Sequence, residues 1–408
     1  MTQRKASLFL VAALTVGGIA AVTGMRRASD PGLTVHEWGT FTSVAGTDGR
    51  AIEWLPLGGP TDLPCFVARD PGRPVKIVAP NMPLDYDAAR TNLWGKVRME
   101  TPVLYFYSSR ATTVEVHVDF PRGLITEFYP KPSGFQATMN YNSLRDPMAI
   151  GFVDWKNVQI VPDEHPIYPT TTSASHYFAA RETDASPIRV GAQTEKFLFY
   201  RGVAGFDVPI RTEPLGDSAI RVGNLLRSHA IPAFVVFENR DGKIGFRIVE
   251  NLMGETVVRT PTLDGALPDL KSRLGSLLVR NGLTTKEASA MLETWRDSWF
   301  EEGTRVFYLL PAQATDDILP LSISPRPATT TRVFVGRMDV LTPATIRIVS
   351  RAAQNSDSAT LASYARFLAP ITDRILASGV DDSIAQKIQS VNRNAFDSYV
   401  NRAKSCLR

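Results

Sequence analysis

Thr284-Thr-Lys-Glu-Ala-Ser-Ala-Met-Leu-Glu-Thr-Trp-Arg-Asp-Ser-Trp-Phe-Glu-Glu-Gly-Thr-Arg-Val-Phe-Tyr-Leu-Leu-Pro311 is the stretch whose reading decides the fold. Thr284 followed three residues later by Glu287 is a capping-box signature. Ala288, Met291, Leu292, Trp295 and Trp299 then recur at helical spacing, and Gly303 stands where a helix would close. Beyond it, Arg305-Val-Phe-Tyr-Leu-Leu310 is a β-prone run ended by Pro311. The pattern predicts a helix over 284–302 that lies on a core through two tryptophans one turn apart, followed by a strand passing through that core.

Working outward, leucines at 270, 274, 277 and 278 with Gly282 after them predict a preceding helix, so 268–303 reads as an αα-hairpin. Upstream, Ala233-Phe-Val-Val-Phe237, the turn Asn239-Arg-Asp-Gly242 and Lys243 to Val249 form a β-hairpin. Pro102 to Tyr107 and Val114 to Phe120 are strands, the second alternating cleanly, with Leu124 to Tyr129 as the return strand. Near the start, Thr34 to Val44 and Arg50 to Leu55 flank an Asp-Gly turn and predict another hairpin. Alternation puts His36, Trp38, Thr40 and Thr42 on one face and Glu37, Gly39 and Phe41 on the other. Pro56 to Pro83 reads as loop, and a short helix is expected over 173–182.

Downstream, Val333 to Val340 is a strand, Thr342-Pro343 opens a helix, and the tail is helical with breaks at Pro370 and Gly379. The last helix carries Ile384, Ile388, Val391, Ala395 and Tyr399 on one stripe. The fold class expected is α+β: mainly antiparallel, sandwich-like sheets within a body at 29–345, with the αα-hairpin packed on them and a helical segment at 346–408.

Residues 1–28 stand apart. Arg4 and Lys5 precede an apolar run from Ala6 to Gly24, and Arg26 and Arg27 follow it, which is the order of an export signal. The run at 6–24 suits either a cleaved signal or a retained membrane anchor. The expected location is periplasmic or extracellular. These four basic residues, subtracted from 45, leave 41 against 41 acidic ones. A neutral body has no general attraction to phosphate backbones, which argues against a nucleic-acid partner. In an oxidising compartment Cys65 and Cys406 are candidates for a bridge pinning the tail to the first strands; the alternative is a buried, unbridged Cys65.

Candidate chemistry is scattered. His36 and Trp38 share a strand face suited to a ligand surface, whereas adjacent His36 and Glu37 point opposite ways. His117 and Asp119, with Glu115, share another face at a spacing that zinc accepts, against the plainer reading of a solvated polar face. His165 beside Asp163 and Glu164, and His176 near Arg181 and Glu182, are further metal candidates. Glu301 and Glu302 close the expected helix, where negative charge is unfavourable and calls for compensation by Arg305, Arg296 or a cation; the plainer reading is a structural ion-pair network and the sharper one a carboxylate site for catalysis or metal. Arg296 and Asp297, between two tryptophans expected to be buried, are candidates to be drawn inward and to contact a ligand. No nucleophile-elbow, zincin, phosphate-loop, dinucleotide or EF-hand pattern occurs, so no cofactor is indicated by motif.

Val35-His-Glu-Trp-Gly-Thr-Phe-Thr-Ser-Val44, Glu195 to Gly202, Thr294 to Gly303 and Arg332 to Arg337 resemble sequence blocks of a family of exported bacterial proteins. The resemblance covers 33–345. It implies export and the order of sheets followed by helices, and it carries no activity or site residue. Two functions are therefore expected in competition. One is an extracytoplasmic binding or envelope-associated module. The other is a metal-assisted hydrolase with Glu301, Glu302 and His36 gathered in one cleft.

Overall fold

A computed structural model describes residues 29–58, 63–67, 93–136, 144–146, 148, 150–172 and 175–405. Strands dominate the first part: β1 (Ser29–Ala45), β2 (Val97–Ser108), β3 (Thr112–Pro121), β4 (Gly123–Tyr129), β5 (Gly134–Phe135) and β6 (Ile150–Ile160). After a 3-10 turn at His176–Arg181 come β7 (Ile188–Val190), β8 (Gln193–Glu195), β9 (Leu198–Ala204), β10 (Ile210–Leu215) and β11 (Ala219–Asn224). Next are β12 (Ile231–Arg240), β13 (Lys243–Leu252), β14 (Glu255–Arg259), α1 (Leu267–Arg280), α2 (Thr285–Thr294) and β15 (Gly303–Leu309). The remainder is α3 (Ala312–Ile318), β16 (Leu321–Ser324), β17 (Arg326–Val340), α4 (Pro343–Asn355), α5 (Ser358–Ser363), α6 (Leu368–Ala377) and α7 (Asp382–Ser405).

The result is a β-rich α+β fold in three layers. An eight-stranded sheet has the order β13-β12-β15-β17-β1-β2-β9-β4. One face packs on a six-stranded and a three-stranded sheet, through Val35, Phe41, Phe334 and Met338 against Val116, Phe120, Trp155 and Val222. The other face is covered by helices. Trp38, Val235, Val333 and Val335 meet Leu274, Leu277, Trp295 and Trp299 of the αα-hairpin region. Farther along the same strands, Val44 joins Val349, Tyr364, Phe367 and Ile371 of the C-terminal helices. Two covered faces explain why β2 is buried along almost its whole length, while β3 in the second sheet alternates between buried and open positions.

Local signals held where they were complete in themselves. Thr284 and Glu287 form the capping box at α2. The β12–β13 hairpin turns at Asp241 and Gly242, both at positive φ, as a two-residue turn of this hand requires. Thr342 caps α4 with Pro343 at its first position. Trp295 and Trp299 are buried and stacked, with centroids 6.5 Å apart and planes 4° from parallel.

Long-range pairing departs from expectation in three places. β1 is not the first arm of a hairpin. It runs parallel to β17 and antiparallel to β2, and the run after the Asp-Gly turn leaves by isolated bridges, Ala45 to Ala51 and Trp54 to Gly95. β4 is not the return strand of β3: it pairs with β9, while β3 lies between β6 and β16. The helix of the opening stretch ends at Thr294, not 302, and residues 295–302 form turns. Within those turns the buried Arg305 guanidinium takes the carbonyls of Trp299, Glu301 and Glu302 at 2.7–2.9 Å, so these backbone acceptors are satisfied without helical donors. The expected helix over 173–182 is the short 3-10 turn, and residues 173 and 174 lie outside the described residues. Gly379 separates α6 from α7 at φ +79°, but Pro370 sits within the first turn of α6 and breaks nothing. On the tail stripe, Ile388 is buried and Ile384 and Val391 are half-buried; the Ala395 and Tyr399 side chains lie outside the described residues. Residues 1–28, expected to be a signal or anchor, also lie outside them, and among the described residues no helix is long and apolar enough to cross a membrane. Cys65 is disulfide-bonded; Cys406, the other cysteine of the sequence, lies outside the described residues.

Candidate functional site

β1 sends adjacent side chains into two separate polar networks. On the helix side, His36 Nδ1 lies 3.0 and 2.9 Å from the two carboxylate oxygens of Glu287. The same carboxylate accepts the Tyr107 hydroxyl at 2.8 Å and the Thr284 backbone N–H at 2.7 Å. Burial by itself would raise the Glu287 pKa, but the hydrogen bonds from His36, Thr284 and Tyr107 outweigh it and hold the pKa below the usual value. Glu287 is thus ionised, and the His36 Nδ1–H donates to it. On the other side, the buried Glu37 accepts from the Tyr200 hydroxyl and from Arg332 Nε, whose guanidinium also donates to Asp316.

The expected acidic cleft does not assemble. His36 stands beside Thr331, whereas Glu301 accepts from Arg337, which stands beside Thr42. Six residues along β17 separate the two, roughly 20 Å at about 3.3 Å per residue. Glu302 accepts the Asp241 backbone N–H instead. The helix-terminus argument for the two glutamates also lapses, because the helix stops well before them.

The other candidates fall at separate places. Trp38 is fully buried among the αα-hairpin side chains and offers no ligand surface. Arg296 and Asp297 are not drawn inward: both are exposed, Arg296 pairs with Glu293, and Asp297 pairs with His176 Nε2 at 2.6 Å. They alternate with the buried tryptophans and so take the outer side of the same turns. His117 donates from Nδ1 to Asp154 at 2.6 Å and from Nε2 to Asp119 at 2.9 Å, across the β3–β6 pair. His165 is exposed. Among the described residues no group of three or more metal-ligating side chains is arranged to hold an ion.

A buried charged layer fixes the C-terminal helices to the sheet. Glu100 on β2 accepts from Thr42 at 2.7 Å, pairs with Arg98 at 2.7 Å and pairs with Arg366, which follows α5. Burial opposes ionisation of Glu100, yet Arg366, Arg98 and Arg201 together hold its pKa down at about 2. Arg305 and Arg337 flank Asp339 at 3.3 and 3.5 Å. Phe367 stacks on Trp54, and the Arg337 guanidinium lies 4.6 Å from the Phe367 ring centre.

This anchoring positions α6 beside a hollow of about 580 Å³ at the C-terminal ends of the parallel strands β1 and β17. Its walls include Ala45, Asp48, Ile52, Glu53, Trp94, Leu341, Pro370, Asp373 and Arg374. Trp94 is 37% exposed. Glu53 is held by a two-pronged bond from Arg145 at 3.1 and 2.7 Å, and Asp48 accepts the Arg50 backbone N–H. Asp373 makes no hydrogen bond or ion pair among the described residues; the protein around its carboxyl raises its pKa by desolvation, although its outer edge stays exposed. None of Trp94, Asp48, Asp373 or Arg374 was singled out from the sequence. The only local signal was a lone tryptophan in Asn92-Leu-Trp-Gly95, just beyond a proline-rich run. Comparison with protein-family models and with curated proteins returns no match for this chain.

Proposed function

We propose that the chain is an exported binding protein whose ligand seat is the hollow between the ends of β1 and β17 and the start of α6. The observation that carries this reading is the combination at that place of an exposed indole, a carboxylate without a partner among the described residues and an apolar floor. A concavity of this size with a few converging polar groups is the usual form of a small-molecule site. Its position, beyond the carboxyl ends of adjacent parallel strands, is where open sheets leave a crevice. Export is supported by the basic–apolar–basic order of the first residues, which suits a periplasmic or extracellular role, free or tethered.

The test uses the protein without residues 1–28. A panel of small polar compounds is screened by tryptophan fluorescence and thermal shift, and each hit is repeated with Trp94→Ala. Binding seated in the hollow is lost in that variant while the unfolding temperature without ligand is retained. A hit unaffected by Trp94→Ala would place the ligand elsewhere and remove this reading.

A hydrolytic alternative draws on a different observation. His36 has its Nδ1 oriented by an ionised Glu287 and no partner for Nε2 among the described residues, which is how a general base is held. It lacks the Glu301/Glu302 pair that the sequence suggested. Hydrolysis of an ester panel abolished by His36→Gln would favour it over binding alone.

A further inference from the structure

We infer that the hollow beside Trp94 takes an organic cation, an ammonium or alkylated ammonium group resting on the indole and facing Asp373. The inference deepens the binding reading and rests on it. The sign of the ligand follows from the charges that line the space. Among the described residues, three carboxylates, Asp48, Glu53 and Asp373, and one guanidinium, Arg374, line it. Arg145 cancels Glu53 through its two-pronged bond. Among the described lining residues, Asp48 and Asp373 against Arg374 then leave one negative charge, which a single cation neutralises.

Arg374 does not supply that cation itself. Successive residues on a helix point about 100° apart and do not face each other, and no pair between Asp373 and Arg374 forms. A lysine or arginine from elsewhere in the described chain does not reach Asp373 either. The aromatic face completes the case, because an indole attracts a cation most strongly among the aromatic side chains and tolerates methyl groups on it. Ala45, Ile52, Leu341 and Pro370 give the hydrocarbon part of such a ligand an apolar floor. A sugar would use the indole but would leave the charge of Asp373 uncompensated, and a carboxylate ligand would be repelled by it.

The experiment titrates the protein without residues 1–28 with choline, putrescine, glucose and succinate, followed by tryptophan fluorescence and calorimetry. Choline or putrescine is expected to bind saturably, with affinity reduced tenfold or more by Trp94→Ala and by Asp373→Asn. Affinity is also expected to fall as pH drops through the raised Asp373 pKa. Asp373→Asn is an exposed change, so its unfolding temperature serves as the folding control if Trp94→Ala is unstable. Saturable binding of glucose or succinate, sensitive to Trp94→Ala, would overturn the cation and leave the seat intact. If no probe of any charge binds in a way that depends on Trp94, the inference and the binding reading both fall.

Discussion

His36 and Glu287, on the central strand and on the first turn of a helix far along the chain, share a bond in which Nδ1 reaches both carboxylate oxygens within 3.0 Å. The glutamate that completes a local capping box is therefore also the clamp that fixes the helix to β1. A cap alone would leave Glu287 at the surface. Here its side chain is fully buried.

The two parts of that double role are separable by mutation. Thr284→Ala removes the cap hydroxyl and is expected to cost about 1 kcal/mol. Glu287→Ala removes the cap and strands the His36 and Tyr107 donors, and is expected to cost about 3 kcal/mol. Urea unfolding of the two variants checks the difference. Equal losses would mean that the contacts to β1 contribute nothing to stability.

The same carboxylate gives a pH dependence with a definite sign. Its folded pKa lies below the ordinary glutamate value of 4.5, so its stabilising charge is fully present above that value. It is lost as pH falls through the lower folded pKa. Glu287→Gln should therefore flatten the acid limb of stability against pH below about 4.5, the usual glutamate value, and change little of its shape near neutrality. An unchanged acid limb would show that the group titrates alike in both states.

The capping box was legible because Thr284 and Glu287 are three residues apart and obey a local rule. The end of that helix was not, because no local signal marks Thr294 and the turns that follow are held by Arg305 from the next strand, which takes the carbonyls of Trp299, Glu301 and Glu302. β1 was recognisable as a strand from Thr34 to Val44, but its parallel partner β17 lies near the other end of the body, and no local pattern announces such a pair. The tryptophans were legible as interior, whereas their neighbours Arg296 and Asp297 were misplaced inward. A one-residue step around a turn reverses exposure, and the sequence fixes that step only if the helix continues. The hollow depended wholly on distance: Trp94, Asp48 and Asp373 come from three separated segments.

Removing the inner indole tests how much the sheet–helix layer depends on it. Trp299 is fully buried and packs on Phe307 at 5.2 Å between ring centres. Trp299→Ala is expected to destabilise by about 3–5 kcal/mol, and Trp299→Phe by clearly less. Thermal unfolding followed by far-UV circular dichroism reads both. A loss below about 1 kcal/mol for the alanine variant would contradict close packing around this residue.

In the buried charged layer, Glu100 and Arg366 join β2 to the C-terminal helices. Glu100→Gln removes the negative charge that Arg366 and Arg98 share in the interior and is expected to cost about 3–5 kcal/mol. Hydrogen exchange should show the first loss of protection over 358–377, because Arg366 lies within that segment. In the parent protein the Glu100 contribution is present above the usual glutamate value and fades only as pH approaches about 2. Uniform loss of protection over the whole chain, with none concentrated at 358–377, would refute the anchoring role.

His117 offers the opposite sign. Burial disfavours its charged form, but hydrogen bonds to Asp154 and Asp119 prevail and raise its pKa above the ordinary histidine value of 6.5. Both ring nitrogens donate at once, which only the imidazolium can do. Its stabilising charge is then fully present below the unfolded value and is lost as pH rises through the raised folded one. The pair exposures of 30–39% keep the effect small, below about 1 kcal/mol after screening by solvent. Imidazole NMR of the protein without residues 1–28 should place the His117 titration above that of an unfolded peptide, and Asp154→Asn should bring it down. Since Asp154 lies directly opposite His117 on the neighbouring strand, the same substitution should weaken the β3–β6 edge at acid pH and leave it nearly unchanged in alkali, where the histidine is neutral. A His117 resonance that titrates at the peptide value would mean that the two aspartates do not hold the proton there.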